Sequence, residues 1–252
     1  MGRMIKALII VPILVIRVPA YANQPDIKPL PEHPSPAYEQ IQPQQALSDL
    51  LAIPSFRAHQ VNQPVNDLDT LYKRAPAAQQ ELETLATGIA DSVNAKVLSA
   101  GMKGQDRAAV KVDKELNGDV SRLTDIVRIT IESDSIDSLN QAYEKLAAST
   151  QTLEVINRFQ APRPSGYRDL KVLVILPESQ LVAEVQLHLN AISKIKNGPE
   201  HGIYEQIQRI ERDAVNRDLT VFEVTKIAQL HQQSRKMYQM AWAQYQPYSM
   251  AV

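Results

Sequence analysis

Glu184, Gln186 and His188 stand at alternate positions of the run Val182-Ala183-Glu184-Val185-Gln186-Leu187-His188, with Ala183, Val185 and Leu187 between them. In a β-strand this alternation sends the three polar groups to one face and the apolar ones to the other. A carboxylate so placed is a candidate general base or metal ligand; an exposed sheet face is the plain alternative. A second carboxylate, Asp125, stands at the mouth of the apolar stretch Ile126-Val127-Arg128-Ile129. Alone it reads as a turn acceptor. Together with Glu184 it could hold one Mg²⁺ between phosphates.

Cations lie nearby in sequence. Lys103, Arg107, Lys111 and Lys114 follow at steps of four, four and three. On a helix they fall within an arc of about 80°, a single basic stripe. A solvated helix face explains such a stripe, and so does a ladder of cations for a polyphosphate chain. In Arg163-Pro164-Ser165-Gly166-Tyr167-Arg168-Asp169-Leu170-Lys171 a Pro-Ser-Gly turn launches a strand through four polar residues. It reads as a hairpin turn or as a ligand loop. As a ligand loop, Tyr167 offers a plane for a base, and Arg163, Arg168 and Lys171 offer phosphate contacts.

Composition removes other chemistries. With 27 basic and 28 acidic side chains in 252 residues, the chain is no general polyanion binder, so any nucleotide contact must be local. It has no cysteine, which excludes disulfides, thiol catalysis and cysteine-type zinc. Its five histidines form no H-x-x-x-H pair, and no G-x-G-x-x-G, Walker A or G-x-S-x-G run is present.

The elements that must position these groups follow from periodicity. Leu68, Leu71, Tyr72, Leu82, Leu85, Ile89, Val93 and Val97 recur at helical spacing, with Pro76 expected to separate two helices. A further helix is expected over residues 103–116, ending at Asn117-Gly118. Runs at 126–131, 153–159, 170–176 and 181–189 read as strands, with an amphipathic helix at 135–148. Helices return at 191–196, 201–217 and 221–245. The expected class is α+β, a small, largely antiparallel sheet with helices packed against it.

The first residues carry a different signal. Arg3 and Lys6 precede the apolar run 7–16, and Ala20-Tyr21-Ala22 supplies the small residues a signal peptidase requires. Residues 1–22 are therefore expected to be a signal peptide, with an uncleaved anchor as the alternative. The chain would then act exported, periplasmic or secreted, where a cysteine-free protein is at home. Residues 23–64 hold eight prolines and no glycine, and read as a Pro/Gln-rich tether with one short helix near 44–53. The folded domain is expected over 65–252, with its core at about 95–215 and C-terminal helices at 201–245.

Read in order, the basic stripe, Asp125-Ile126, Pro164-Ser165-Gly166-Tyr167-Arg168 and Glu184-Val185-Gln186 resemble the synthetase domain of the RelA/SpoT family, the alarmone pyrophosphokinases. That family carries a basic helix, D-I-x-G-x-R, P-x-G-Y-R-S-x-H and E-V-Q-x-R in this order. The resemblance implies a nucleotidyltransferase-like fold, a mixed or antiparallel sheet flanked by helices. It also implies transfer of pyrophosphate from ATP to the 3′-hydroxyl of a nucleotide, with Mg²⁺ as cofactor. By the same carry-over, Asp125 and Glu184 would hold the metal, with Glu184 also activating the acceptor hydroxyl. Lys103, Arg107 and Lys111 would grip the donor phosphates, Tyr167 would stack on the acceptor base, and Arg168, Lys171, Gln186 and His188 would complete the acceptor side. The acceptor would be GDP, GTP, an adenine nucleotide or tRNA, and a toxin-like member would have an immunity protein. Several motif positions differ: Arg128 and Thr130 stand for the Gly and Arg of the first motif, Asp169 and Lys171 for the Ser and His of the second, and His188 for the Arg of the third. A module that binds nucleotide or a partner without turnover is the alternative these differences imply.

Overall fold

The computed structural model describes residues 43–246. In chain order the elements are α1 (Pro43–Ala52), β1 (Phe56–Arg57), α2 (Leu68–Ser92), β2 (Lys96–Leu98), α3 (Gln105–Glu115), β3 (Val127–Ser133), α4 (Ile136–Ser149), β4 (Gln151–Asn157), β5 (Leu170–Ile175), β6 (Val182–Leu189), α5 (Asn190–Lys196), α6 (His201–Asp213) and α7 (Val221–Ala243). The strands form one sheet in the order β1-β4-β5-β6-β3-β2. All neighbours are antiparallel except β3 and β6, which run parallel. This is the expected α+β class with a mixed sheet.

Side-chain alternation gives the sheet two unlike faces. Val127, Ile129 and Ile131 of β3, Val172 and Val174 of β5, and Ala183, Val185 and Leu187 of β6 join one apolar cluster. Leu71, Ala75, Ala78 and Leu82 of α2 and Leu139, Ala142 and Leu146 of α4 complete it. Each fully buried Leu or Ile stabilises the fold by roughly 1.5–3 kcal/mol. On the other face Arg128 lies opposite Glu184, and Gln186 lies between Thr130 and Lys171. That polar face carries the candidate site.

Three expectations are corrected. The first is the tether. Residues 23–42 lie outside the described residues, as does the expected signal 1–22, but 43–64 are packed. Leu50 is fully buried, the Asn157 amide donates to the carbonyls of Leu50 and Ile53, and Asn140 donates to that of Ala46. Gln63 bonds the backbone of Leu123 and Val182 through both ends of its amide. Satisfying buried backbone groups in this way holds the segment on the domain despite its prolines. The folded unit thus takes in residues 43–64 as well as those from 65 onward.

The second correction is Pro76, which sits inside one continuous helix. It is exposed, while Leu71, Ala75, Ala78 and Leu82 bury an unbroken stripe beside it. Packing of that stripe offsets an interior proline's cost of about 3 kcal/mol. The third is Val97, read as the end of the same stripe. Asn94 turns with φ 54°, and residues 96–98 then pair with β3 as an edge strand. Among the described residues no helix is long and apolar enough to cross a membrane.

Candidate functional site

The basic stripe begins one residue before the cap of α3. Gly104 is the N-cap, and Ala108 and Val112 bury the helix's inner side. Lys103 is fixed by its backbone: its N–H donates to the Ile126 carbonyl and its own carbonyl accepts from the Tyr72 hydroxyl at 2.6 Å. The ammoniums of Lys103 and Lys111 each lie 2.8 Å from Oδ2 of Asp125. Burial alone would raise the Asp125 pKa, but the two ammoniums outweigh it and hold the carboxyl below its usual range. Arg107 and Lys114 have no ion-pair partner among the described residues. They face a cavity of about 610 Å³ together with Lys103, Lys111, Arg128 and, from α6, Arg212.

A second cavity, of about 630 Å³, lies over β5 and β6. Tyr167, Lys171, Glu184 and Gln186 line it. Gly166 has φ +85°, and a Cβ there would meet Cα of Arg235 at 3.1 Å, so the turn before Tyr167 requires glycine. The Tyr167 hydroxyl donates to Asp169 Oδ2 at 2.8 Å and lies 2.6 Å from Nε2 of His188. Arg158 donates to the other Asp169 oxygen at 2.6 Å. Burial, seconded by Asp169, pushes the Tyr167 pKa far up, so the phenol stays neutral. Burial also pushes His188 down, while Asp169 lies below the carboxylate range because His188 and Arg158 outweigh its burial. This network sets the tilt of the Tyr167 ring, which also meets Tyr238 edge-on at 5.7 Å.

Two of the expected acceptor contacts are corrected. His188 is 1% exposed and supports the Tyr167 hydroxyl from beneath; it does not reach the cavity. Arg168, in the loop ahead of β5, turns away from the cavity, donating to the Phe159 carbonyl at 2.6 Å and lying 5.0 Å over the Trp242 ring.

The two cavities meet at a smaller one of about 200 Å³, lined by Arg128, Thr130, Glu184, Gln186 and Lys196. Arg128 also lines the first cavity, and Glu184, Gln186 and Lys196 also line the second. The parallel register that sets Arg128 opposite Glu184 creates this junction. Glu184 accepts from Gln186 at 2.7 Å, and Gln186 accepts from Lys196 at 3.1 Å. Lys171 lies 2.8 Å from Glu154 and 3.8 Å from Glu184. Sequence reasoning missed Lys196 and read Arg128 only as a lost glycine. Lys196 ends a short helix with no motif around it, so only the fold could reveal that it faces the junction. The Arg158–Asp169 pair was hidden for the same reason.

A divalent ion shared by Asp125 and Glu184 does not fit this arrangement. Asp125 lies in the turn ahead of β3, whereas Glu184 stands within the sheet opposite Arg128, the second residue of that strand. Its Oδ2 already carries two ammoniums, its Oδ1 is buried without a partner, and it lines none of the three cavities. Glu184 keeps a face toward both the junction and the second cavity.

No protein-family model matches the chain. A stretch of 89 residues, 35% of the chain, is 30% identical to the (p)ppApp synthetase toxin Tas1 of Pseudomonas aeruginosa; the match spans about a fifth of that protein (20%). Among solved structures, the type VI effector Tas1 in complex with its immunity protein aligns with a TM-score of 0.53 at 22% identity, covering 70% of this chain and 96% of that one. Small alarmone synthetase 2 from Bacillus subtilis aligns with a TM-score of 0.53 at 19% identity, over 70% and 92% of the two chains. Small alarmone synthetase 1 from the same organism, bound to its product pppGpp, gives 0.52 at 15%, over 70% and 93%. The chain has the fold of the small alarmone synthetases, and the resemblance carried by its motifs is the one these comparisons find.

Proposed function

We propose that the chain is a pyrophosphokinase, transferring the β,γ-pyrophosphoryl group of ATP to the 3′-hydroxyl of a nucleotide. The observation that carries this reading is the pair of cavities, each of nucleotide size, that meet at Glu184. One is walled by the cations of α3 and suits a triphosphate. The other presents Tyr167 to a base. Holding both substrates against one junction supplies the proximity that phosphoryl transfer chiefly requires.

In the step, the acceptor 3′-oxygen forms a bond to the β-phosphorus and the bond from that phosphorus to the α–β bridging oxygen breaks, releasing AMP. The hydroxyl proton passes to Glu184 and from there to solvent. Arg107, Lys103 and Lys111 bind the donor phosphates, the two lysines in balance with Asp125. Tyr167 stacks on the acceptor base, while Lys171 and Gln186 fix the position of the Glu184 carboxylate. Mg²⁺ would accompany the ATP phosphates and screen their charge, with Glu184 the carboxylate of this chain that faces it.

The match to a (p)ppApp synthetase makes adenine nucleotides the first acceptors to test. We further propose that the protein is exported and acts inside a recipient cell, with an immunity protein as its macromolecular partner. The signal-like segment and the likeness to a type VI effector solved with its immunity protein support this.

The direct test mixes purified residues 23–252 with Mg²⁺, labelled ATP and, in turn, ADP, ATP, GDP, GTP or tRNA. The expected result is AMP release with label on one acceptor. Transfer to none of them, under conditions where a small alarmone synthetase is active, would overturn the proposal. The locked Asp125 favours one second reading, a module that binds nucleotide without turnover. Calorimetric binding of ATP with no product would establish it.

A further inference from the structure

The junction carries two cations and one carboxylate, Glu184, with which neither cation makes an ion pair. Arg128 reaches it from β3 and Lys196 from the end of α5. Among the described residues neither makes an ion pair. Lys196 donates to the neutral amide of Gln186 at 3.1 Å, and the buried Nε of Arg128 has no acceptor. The Lys196 ammonium also lies 5.7 Å from the centre of the Tyr167 ring. By contrast, Lys103 and Lys111 share the one charge of Asp125, and Lys171 pairs with Glu154, which also takes Arg57. Glu184 lines the same cavity, so two cations there face one carboxylate, and the net positive charge that remains favours entry of an anion.

We infer that Arg128 and Lys196 form a clamp for the pyrophosphoryl group as it crosses from donor to acceptor, an inference that rests on the transfer activity proposed above. The place suits the chemistry: Arg128 lines the donor cavity, Lys196 the acceptor cavity, and both line the space between. The group passing there carries charge on several oxygens, and a planar guanidinium with a flexible ammonium can meet them from two sides. The Arg128 side chain occupies a position where the resembling motif has glycine, so this chain brings positive charge to the junction from its own backbone register.

The test has two readouts. In the transfer assay, Arg128→Met and Lys196→Met should each lower kcat by about a hundredfold, the usual effect of removing one preorganised contact, and leave the KM for ATP within about threefold. Lys196→Arg should restore most of the kcat, which a purely packing role would not predict. In calorimetry with inorganic pyrophosphate alone, wild type should bind, and each Met variant should bind at least about tenfold more weakly. Transfer by wild type with an unchanged kcat in both Met variants overturns the clamp and leaves the function standing. Clamp-dependent pyrophosphate binding without transfer to any acceptor overturns the function and with it the crossing role, leaving Arg128 and Lys196 as a pyrophosphate-binding pair. No pyrophosphate binding by wild type overturns the clamp.

Discussion

At the scale of single residues, Glu184 and Tyr167 divide the proposed chemistry between proton and base. Glu184→Gln keeps the side chain's shape, and its amide oxygen can still accept from Gln186 as the carboxylate does at 2.7 Å. What it loses is the ability to take a proton. Transfer should fall by at least about two decades while the unfolding midpoint stays near wild type. Equal rates for the two proteins would remove Glu184 from the mechanism. Tyr167→Ala should act on binding, raising the acceptor KM by one to two decades, because stacking contributes roughly 1–3 kcal/mol. An unchanged KM would place the base elsewhere. The residues beneath these two add a pH dependence. The His188 pKa is lowered by burial, so the unfolded chain binds a proton that the folded one refuses, and stability should decline as pH falls below about 6.5. The pKa values of Asp125 and Asp169 are lowered too, so their contribution is complete above about pH 4 and is lost as pH falls through their folded values. Urea midpoints measured from pH 8 to pH 3 should therefore drop in two stages. Asp125→Asn should flatten the acidic stage, and an unaltered profile would show that its two lysine contacts contribute little.

At the scale of elements, α1 and β1 are the parts whose importance the sequence concealed. A proline-rich composition signals a tether, even around the short helix expected near 44–53, and that inference ignores what a neighbour can bury. Leu50 is fully enclosed, and Gln63 ties the segment to the backbone of β6 through Val182. Proteins beginning at Pro43 and at Val65 should differ in denaturant midpoint. One beginning at Val65 should lose stability by more than Leu50→Ala, itself worth about 2–5 kcal/mol. Equal stability of the Val65 protein would return these residues to the status of a tether. Elsewhere the pattern was legible where periodicity and chemistry agreed. β3, β5 and β6 announce themselves because one face is apolar without interruption, and the same alternation exposes Glu184 and Gln186. It failed where a residue's neighbours come from distant chain. Nothing near Pro76 reports that packing will carry the helix through it. Nothing near His188 reports that Tyr167 will cover it, or that Arg168 will turn to Trp242.

For the whole molecule, the question is where two nucleotides are available to fill two cavities. The cations of α3 face the donor cavity and Tyr167 the acceptor cavity, so the proposed reaction draws on ATP and runs only where ATP is supplied. A periplasm has essentially none, whereas a signal-like segment at residues 1–22 would send the chain there. The two statements are compatible if export precedes entry into a second cell. Expression of residues 23–252 in the bacterial cytoplasm should then arrest growth and deplete ATP, with pyrophosphorylated nucleotide accumulating in extracts. The full sequence, routed outward, should be tolerated and recovered with a mature N-terminus at Asn23 by mass spectrometry. Glu184→Gln in the cytoplasmic form should restore growth, which ties the arrest to transfer and separates it from the burden of expression. Arrest that survives Glu184→Gln would detach toxicity from the junction between the cavities. Recovery of soluble cytoplasmic protein still beginning at Met1 would overturn the exported reading and leave an enzyme working on the nucleotides of its own cell.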